Sequence, residues 1–303
     1  MKPTVAVSLG DPSGIGPEVV VKALRDPRVR RALVPRVFGD AAWAKPLGGA
    51  LVAVSALAAA DRKPGKPTRR GALAQLAYVQ AAVSAAMSGE AQAICTAPVS
   101  KEQILKAGVH FVGHTELLAE AFGREVLMLM DGPRLKVALA TNHLALRQVP
   151  RAISVRSLVR QLALLDASLR AQLGRRPKLA VCALNPHGGE GGELGDEDQR
   201  LVAPAVAAAR RRGIDAHGPL PADGLFASAG LGRFGYDCAL AMFHDQGLVA
   251  AKVLDFQQTV NVTLGLPVPR TSPDHGVAYD IAGRGKADAE PMVRALLKAA
   301  ALV

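Results

Sequence analysis

Three histidines occupy the same kind of place in this chain. His143 follows the apolar run KVALATN, His187 follows LAVCALNP, and His244 follows ALAMF. In parallel α/β sheets, ligands bind just beyond the carboxyl ends of strands. A lone histidine after a strand is more often structural than a ligand. Three in matching contexts, each beside Asn, Gly or Asp, reverse those odds. Neutral imidazole suits Zn, Fe, Co or Ni. Three protein ligands leave coordination positions open for substrate, as catalytic metal sites require. Asp223 and Asp245 are candidates to orient a histidine or accept a proton.

A second set of residues suits an anion. Lys252 follows His244 on the same stretch, and His114-Thr115 opens a helix that Thr115 could cap. A helix N-terminus points free N–H groups at whatever lies beyond it. Asn261 lies in the apolar strand VNVTLGLP, where a polar side chain needs a reason. Arg270 stands between Pro269 and Thr271 in a constrained loop, and guanidinium grips phosphate or carboxylate bidentately. Lys101 follows the strand end TAPVS and is a candidate for acid–base work. Gly230–Gly235 matches GxGxxG but precedes a strand and opens no helix, so it reads as a turn and not a dinucleotide fingerprint. No GxxxxGK[ST] and no GxSxG occurs, which withdraws support from a P-loop kinase and a serine hydrolase.

Strands are expected at 4–9, 36–39, 51–56, 93–96, 179–184, 239–243 and 261–265, with a hairpin over 126–130 and 136–141. Helices are expected at 18–24, 71–88, 154–173, 197–212 and 290–302. Ser100 reads as an N-cap with Gln103 in a capping box, and 218–226, carrying Asp223, as a loop. This alternation implies α/β architecture with a mostly parallel sheet covered by helices. A hinge near 99–101, with the chain crossing back near 252, divides it into 1–100 plus 253–303 and 101–252.

At 303 residues with 50% hydrophobic and 21% charged side chains, the chain is long enough for two packed domains. The net charge of +11 is scattered in short clusters without interleaved aromatics. That disfavours a nucleic-acid partner and leaves an anionic small substrate. Cys95, Cys182 and Cys238 each lie in apolar runs and read as reduced core residues of a cytoplasmic protein. No apolar stretch is long enough to span a bilayer, so no membrane partner is expected.

Taken together, GDPSGIGPE, TAPVSK, GHTE, ATNHLALR, LNPHGGEGG, GPLPAD, FHDQGL and TSPDHGVAYDIAGRGKAD resemble the 4-hydroxythreonine-4-phosphate dehydrogenase family of pyridoxal phosphate biosynthesis. The likeness is weakest over about 39–70. GIGPE and HGVAYDIAGRGKAD also resemble the wider isocitrate/isopropylmalate dehydrogenase superfamily. The resemblance implies a homodimer of chains with two α/β/α domains and an active site in the interdomain cleft at the dimer interface. It implies His143, His187 and His244 as ligands of one divalent metal (Zn, Mg or Co), contributed across two copies. His114, Thr115, Lys252, Asn261 and Arg270 become substrate-binding residues. Asp274, His275, Gly276, Asp280 and Gly283 become part of an adenosine-binding loop for NAD or NADP. The implied reaction oxidises 4-phosphohydroxy-L-threonine to a β-keto acid that decarboxylates to 3-amino-2-oxopropyl phosphate. Rival readings are a related dehydrogenase of 4-phospho-threonate, 4-phospho-erythronate or a dihydrodiol, and an acyl or phosphoryl transferase on a related fold.

Overall fold

Runs rich in Val, Leu and Ala, bounded by turns, form the strands, and alanine-rich runs between them form the helices of this computed structural model, which describes residues 1–303. In chain order come β1 (Thr4–Ser8), α1 (Gly16–Arg25), α2 (Pro27–Ala32), β2 (Val34–Asp40), α3 (Ala44–Leu47) and β3 (Leu51–Ser55). Next are α4 (Arg69–Met87), β4 (Ala93–Thr96), α5 (Lys101–Lys106) and α6 (His114–Phe122). The middle of the chain holds β5 (Leu127–Asp131), β6 (Lys136–Leu139), α7 (Val149–Ala152), α8 (Val155–Leu173), β7 (Lys178–Cys182) and α9 (Ala203–Arg211). It continues through β8 (Asp215–Leu220), α10 (Ala222–Gly230), β9 (Cys238–Ala241) and α11 (His244–Asp255). The chain ends with β10 (Val260–Leu264), β11 (Arg270–Pro273) and α12 (Glu290–Ala301).

Two compact units result: Met1–Val126 with Val260–Val303, and Leu127–Thr259. The first orders its strands β3-β2-β1-β4-β11-β10. Neighbours from β3 to β11 run parallel, and β10 is antiparallel to β11. The second unit has the order β5-β6-β9-β7-β8, with an antiparallel β5–β6 hairpin and parallel pairs beyond it.

The unit boundaries fall at Val126 and Thr259, not near 100 and 252. The first unit keeps α5 and α6 because Ile104 and Phe111 pack on Leu76, and Leu118 packs on Val79 and Val83 of α4. The second keeps all of α11 because Leu248 and Ala251 pack into the core with Val137, Leu139 and Ala241. Gly247 permits that approach, since a Cβ there would lie 2.9 Å from Leu139 Cδ2. Segment 218–226 is not a loop but the end of β8 and the start of α10, so Asp223 sits in a helical first turn. Arg270 opens strand β11 instead of standing in a loop. The expected helix over 197–212 is split, with a π-turn at Asp198–Val202 before α9. Of Gly230–Gly235, Gly230 ends α10 and the rest turns away from it, with Gly232 and Gly235 left-handed.

The three cysteines are free and fully buried. Burial pushes the Cys95 and Cys182 thiols up to about 12. No helix is long and apolar enough to cross a membrane.

One buried carboxylate fastens α11 to the β5–β6 turn. Asp255 Oδ2 accepts from the backbone N–H of Arg134 at 2.9 Å and of Leu135 at 3.1 Å, and Oδ1 accepts from Arg134 Nε at 2.9 Å. Truncation strands one buried and one partly buried N–H donor. Asp255→Ala is therefore expected to lower the unfolding free energy by about 2–4 kcal/mol in urea melts. A loss below about 0.5 kcal/mol, the scatter of ordinary surface changes, would show that the turn holds itself.

Candidate active site

In the second unit the strand register gathers the histidines' roots. Leu139 pairs with Ala241 and Val181 with Leu240, so β6, β9 and β7 present their carboxyl ends side by side. Thr141 Oγ1 donates to Met242 O at 2.7 Å, tying the first two ends together. Gln246 ties the second to the third: its Oε1 accepts from Met242 N and its Nε2 donates to Ala183 O, both at 2.7 Å. The His143 and His244 rings consequently lie 5.5 Å apart, centroid to centroid. His244 Nδ1 meets Asp245 Oδ1 at 2.6 Å. That contact selects the Nδ1–H tautomer and leaves Nε2 as an acceptor. Asn142, His143, Phe243, His244 and Asp245 line a cavity of about 310 Å³.

His187 stays outside this pair. It lies on an exposed loop whose residues His187–Gly191 all have positive φ. Asp198 holds the base of that loop, accepting from Leu184 N at 2.7 Å and Asn185 N at 2.9 Å. No three His, Cys, Asp or Glu side chains of one chain gather as metal ligands. The expected convergence of three imidazoles is therefore not made within a single chain. The two that do meet, one with its tautomer set by a carboxylate, suit part of a divalent-metal site. Asp223 is exposed on α10, and Lys252 is partly buried in the last turn of α11.

In the first unit the central feature is Arg270, 2% exposed. Pairing of β11 with β4 and β10 places it between two threonines. Nη2 donates to Thr96 Oγ1 at 2.6 Å and Nη1 to Thr263 Oγ1 at 3.1 Å. Nε has no partner. Burial pulls this guanidinium down to about 10. Two further enclosed atoms lack partners: His114 Nε2 and Asn261 Oδ1. Asn261 and Thr263, two residues apart on β10, share a face. Burial, with the charge of Arg270 added, holds the His114 imidazole well below its ordinary range. The Phe111 ring meets it edge-on at 5.9 Å. Buried polar groups normally find partners, so this cluster suits an anionic or polar ligand group.

His114 is the first residue of α6, and Gly113 stands at the N-cap without a side-chain cap. Thr115 is not the cap: it is buried one position inside the helix. Lys101 is exposed at the start of α5, behind the Ser100 cap, whose Oγ accepts from Gln103 N at 3.3 Å.

The Asp274–Gly285 loop carries the candidate cofactor residues. His275 Nδ1 faces Gly276 O at 3.1 Å, and its Nε2 is enclosed without a partner. Gly276 and Asp280 are exposed, Asp274 is partly buried, and Gly283 is left-handed. An enclosed ring nitrogen beside open glycine backbone is suited to a nucleotide. Thr96, Thr263, Gln246 and Asp198 are position-holders that sequence reading missed. The one local signal for them was a polar residue at a strand end, as with Thr96.

Comparison with known proteins gives the family. A model of the family described as pyridoxal phosphate biosynthetic protein PdxA matches residues 27–299. A 4-hydroxythreonine-4-phosphate dehydrogenase of Burkholderia vietnamiensis is 46% identical, over 96% of this chain and 94% of the relative. One from Geobacter metallireducens is 44% identical, over 99% of this chain and 95% of the relative. A solved structure of a putative 4-hydroxythreonine-4-phosphate dehydrogenase from Salmonella typhimurium, 34% identical, superposes with a TM-score of 0.85 and covers both chains fully. An isocitrate dehydrogenase from Methylococcus capsulatus, 16% identical at a TM-score of 0.50 over 99% of this chain and 84% of that one, shares the fold alone. With full-length likeness in sequence and structure, the chain belongs to the PdxA family of pyridoxal phosphate biosynthetic enzymes.

Proposed function

We propose that this enzyme oxidises 4-phosphohydroxy-L-threonine with NAD or NADP and one divalent metal (Zn, Mg or Co). The product is a β-keto acid that loses CO₂ to give 3-amino-2-oxopropyl phosphate. The observation that carries this reading is the buried trio of unpartnered atoms: Arg270 Nε, His114 Nε2 and Asn261 Oδ1. Arg270 and the open N-terminus of α6 at His114-Thr115 suit the phosphate, and Asn261 and Lys252 the remaining polar groups. The anion set and the imidazole set are each assigned to this reaction on chemical grounds.

His143, His187 and His244 would hold a divalent cation, which would supply Lewis-acid polarisation of the substrate hydroxyl. Asp245 fixes the tautomer of His244, and Lys101, Asp223 and Asp245 are the candidates to take the hydroxyl proton. A nicotinamide cofactor, when bound, would supply the hydride acceptor for the same carbon. Exact placement of these groups contributes to the barrier lowering as much as their charge does.

The third imidazole is assigned to a second copy of the chain. Val249 and Val253 of α11 and Phe256 at its C-cap form an apolar stripe, 60%, 79% and 62% exposed. A stripe of that spacing on a helix face is suited to burial against a partner, and α11 is the helix that begins with His244.

The reading is tested by NAD(P)H formation at 340 nm, using metal-stripped protein resupplied with Zn, Mg, Co or Mn. Metal-dependent turnover of 4-phosphohydroxy-L-threonine is expected. Turnover confined to 4-phospho-erythronate or 4-phospho-threonate would move the substrate while keeping the site.

His114 provides a pH test. Its folded pKa is depressed, so it stays neutral while the unfolded imidazole protonates as pH falls through about 6.5. The unfolded state then binds more protons, and this group's contribution to stability is lost below that pH. In ligand-free protein the His114 ring resonances should stay flat from about pH 7.5 to 5.5. Ordinary titration of His114 would contradict the enclosed site.

Subunit sharing is tested by complementation. His187→Ala and His244→Ala should each be inactive. Their mixture should regain about a quarter of wild-type activity, because half the dimers are mixed and each mixed dimer keeps one intact site. Val253→Glu in both variants should abolish the rescue. No rescue without that change would place all three ligands in one chain.

A further inference from the structure

The structure assigns Tyr279 and Asp11 a positioning role: we propose that this pair pins the Asp274–Gly285 loop in its dinucleotide-accepting form. The inference rests on the reading of that loop as the cofactor loop, and it concerns residues outside the substrate and metal sets.

Asp11 lies in the GDPSGIGPE turn and is 1% exposed. Its Oδ1 accepts from Ser13 N at 2.8 Å, which shapes the turn. Its Oδ2 accepts from the Tyr279 hydroxyl at 2.6 Å, across 268 residues of chain. Burial raises both the Asp11 carboxyl and the Tyr279 phenol. A buried carboxylate needs this donor, and a phenol in that position has a strong preference for this acceptor.

The backbone around the pair is close-fitting. Ile15 N donates to Val277 O at 2.9 Å and Gly65 N to Ser13 O at 2.8 Å. A Cβ on Gly14 would lie 2.8 Å from Val277 O, and one on Gly65 would lie 2.9 Å from Tyr279 O. Three stretches, at 11–15, 63–66 and 274–285, therefore meet backbone to backbone. Between Val277 and Tyr279 the chain must take a left-handed turn at Ala278, φ 42°, without a glycine to ease it. A conformation of that kind persists only where its surroundings over-determine it. The Tyr279 hydroxyl, one residue beyond the strained position, is a side-chain contact placed to do so, with Ser100 as a second partner beside Asp11. Pro12, Gly14, Trp43, Arg62, Pro64 and Gly283 line an adjoining cavity of about 290 Å³. If the loop relaxes, the wall of this cavity moves with it.

The test uses the full-length protein, without ligand, carrying Tyr279→Phe, Asp11→Asn or Asp280→Ala. Hydrogen–deuterium exchange over 274–285 and calorimetric binding of NAD and NADP are measured for each, with inorganic phosphate binding as the reference for an unaltered anion site. In Tyr279→Phe, exchange over the loop should speed up. Dinucleotide affinity should fall by roughly five- to tenfold, the worth of one buried hydrogen bond. Phosphate affinity should not change. Asp11→Asn, which keeps a polar partner for the phenol, should lie close to wild type. Unchanged loop exchange in Tyr279→Phe overturns the pin. Faster exchange with unchanged dinucleotide affinity also overturns the proposal, and Asp280→Ala separates the reasons. If Asp280→Ala weakens dinucleotide binding, the cofactor reading stands and the pin alone fails. If it too has no effect, the cofactor reading of the loop fails.

Discussion

A guanidinium enclosed almost completely in protein is expensive to maintain, because neutral neighbours cannot replace the water it has lost. Arg270 is held in that state by two threonine hydroxyls, which accept hydrogen bonds but carry no charge. Much of the first unit is explained by this constraint. β11 has to lie between β4 and β10, so that Thr96 and Thr263 stand on either side of the arginine. The imidazole of His114 has to remain neutral beside it. The cluster keeps an unpartnered Arg270 Nε, and Glu116 is the carboxylate whose charge acts on the guanidinium.

The second unit solves a different problem, that of bringing side chains from distant parts of the chain to one edge. It uses parallel register, with clips across the strand ends. Gln246 serves two strands at once through its two amide atoms, and Thr141 serves a third. Asp198 does similar work for the His187 loop from inside a π-turn. Such one-residue irregularities in helices often occur at functional sites. None of these residues need touch a substrate to matter to where the histidines stand.

Much of this was readable in the sequence. The histidines at strand ends, Asn261 in an apolar strand and the absence of a dinucleotide fingerprint are local patterns, and local patterns survive folding. Strands such as 93–96 were legible for the same reason: their hydrophobic runs are bounded by turn chemistry. What escaped was set by partners far away in the chain. Arg270 reads as a loop residue between Pro269 and Thr271, yet it becomes a strand residue because β4 and β10 flank it. Thr115 looks like a helix cap but is drawn inside α6. The unit boundary near Val126 depends on α5 and α6 packing on α4, which no window of sequence displays.

The discontinuity of the first unit also orders events in time. Thr96 and Arg270, which face each other in the finished site, are separated by 174 residues. During synthesis the entire second unit, Leu127–Thr259, leaves the ribosome before β10 and β11 exist. Until then β4 has an open edge where β11 will later insert, and an open strand edge is a template for mispairing. Long-range strand insertion is slow by its nature. The nascent chain must therefore keep that edge available while its middle folds, and the Arg270–Thr96 contact is among the last things the molecule makes.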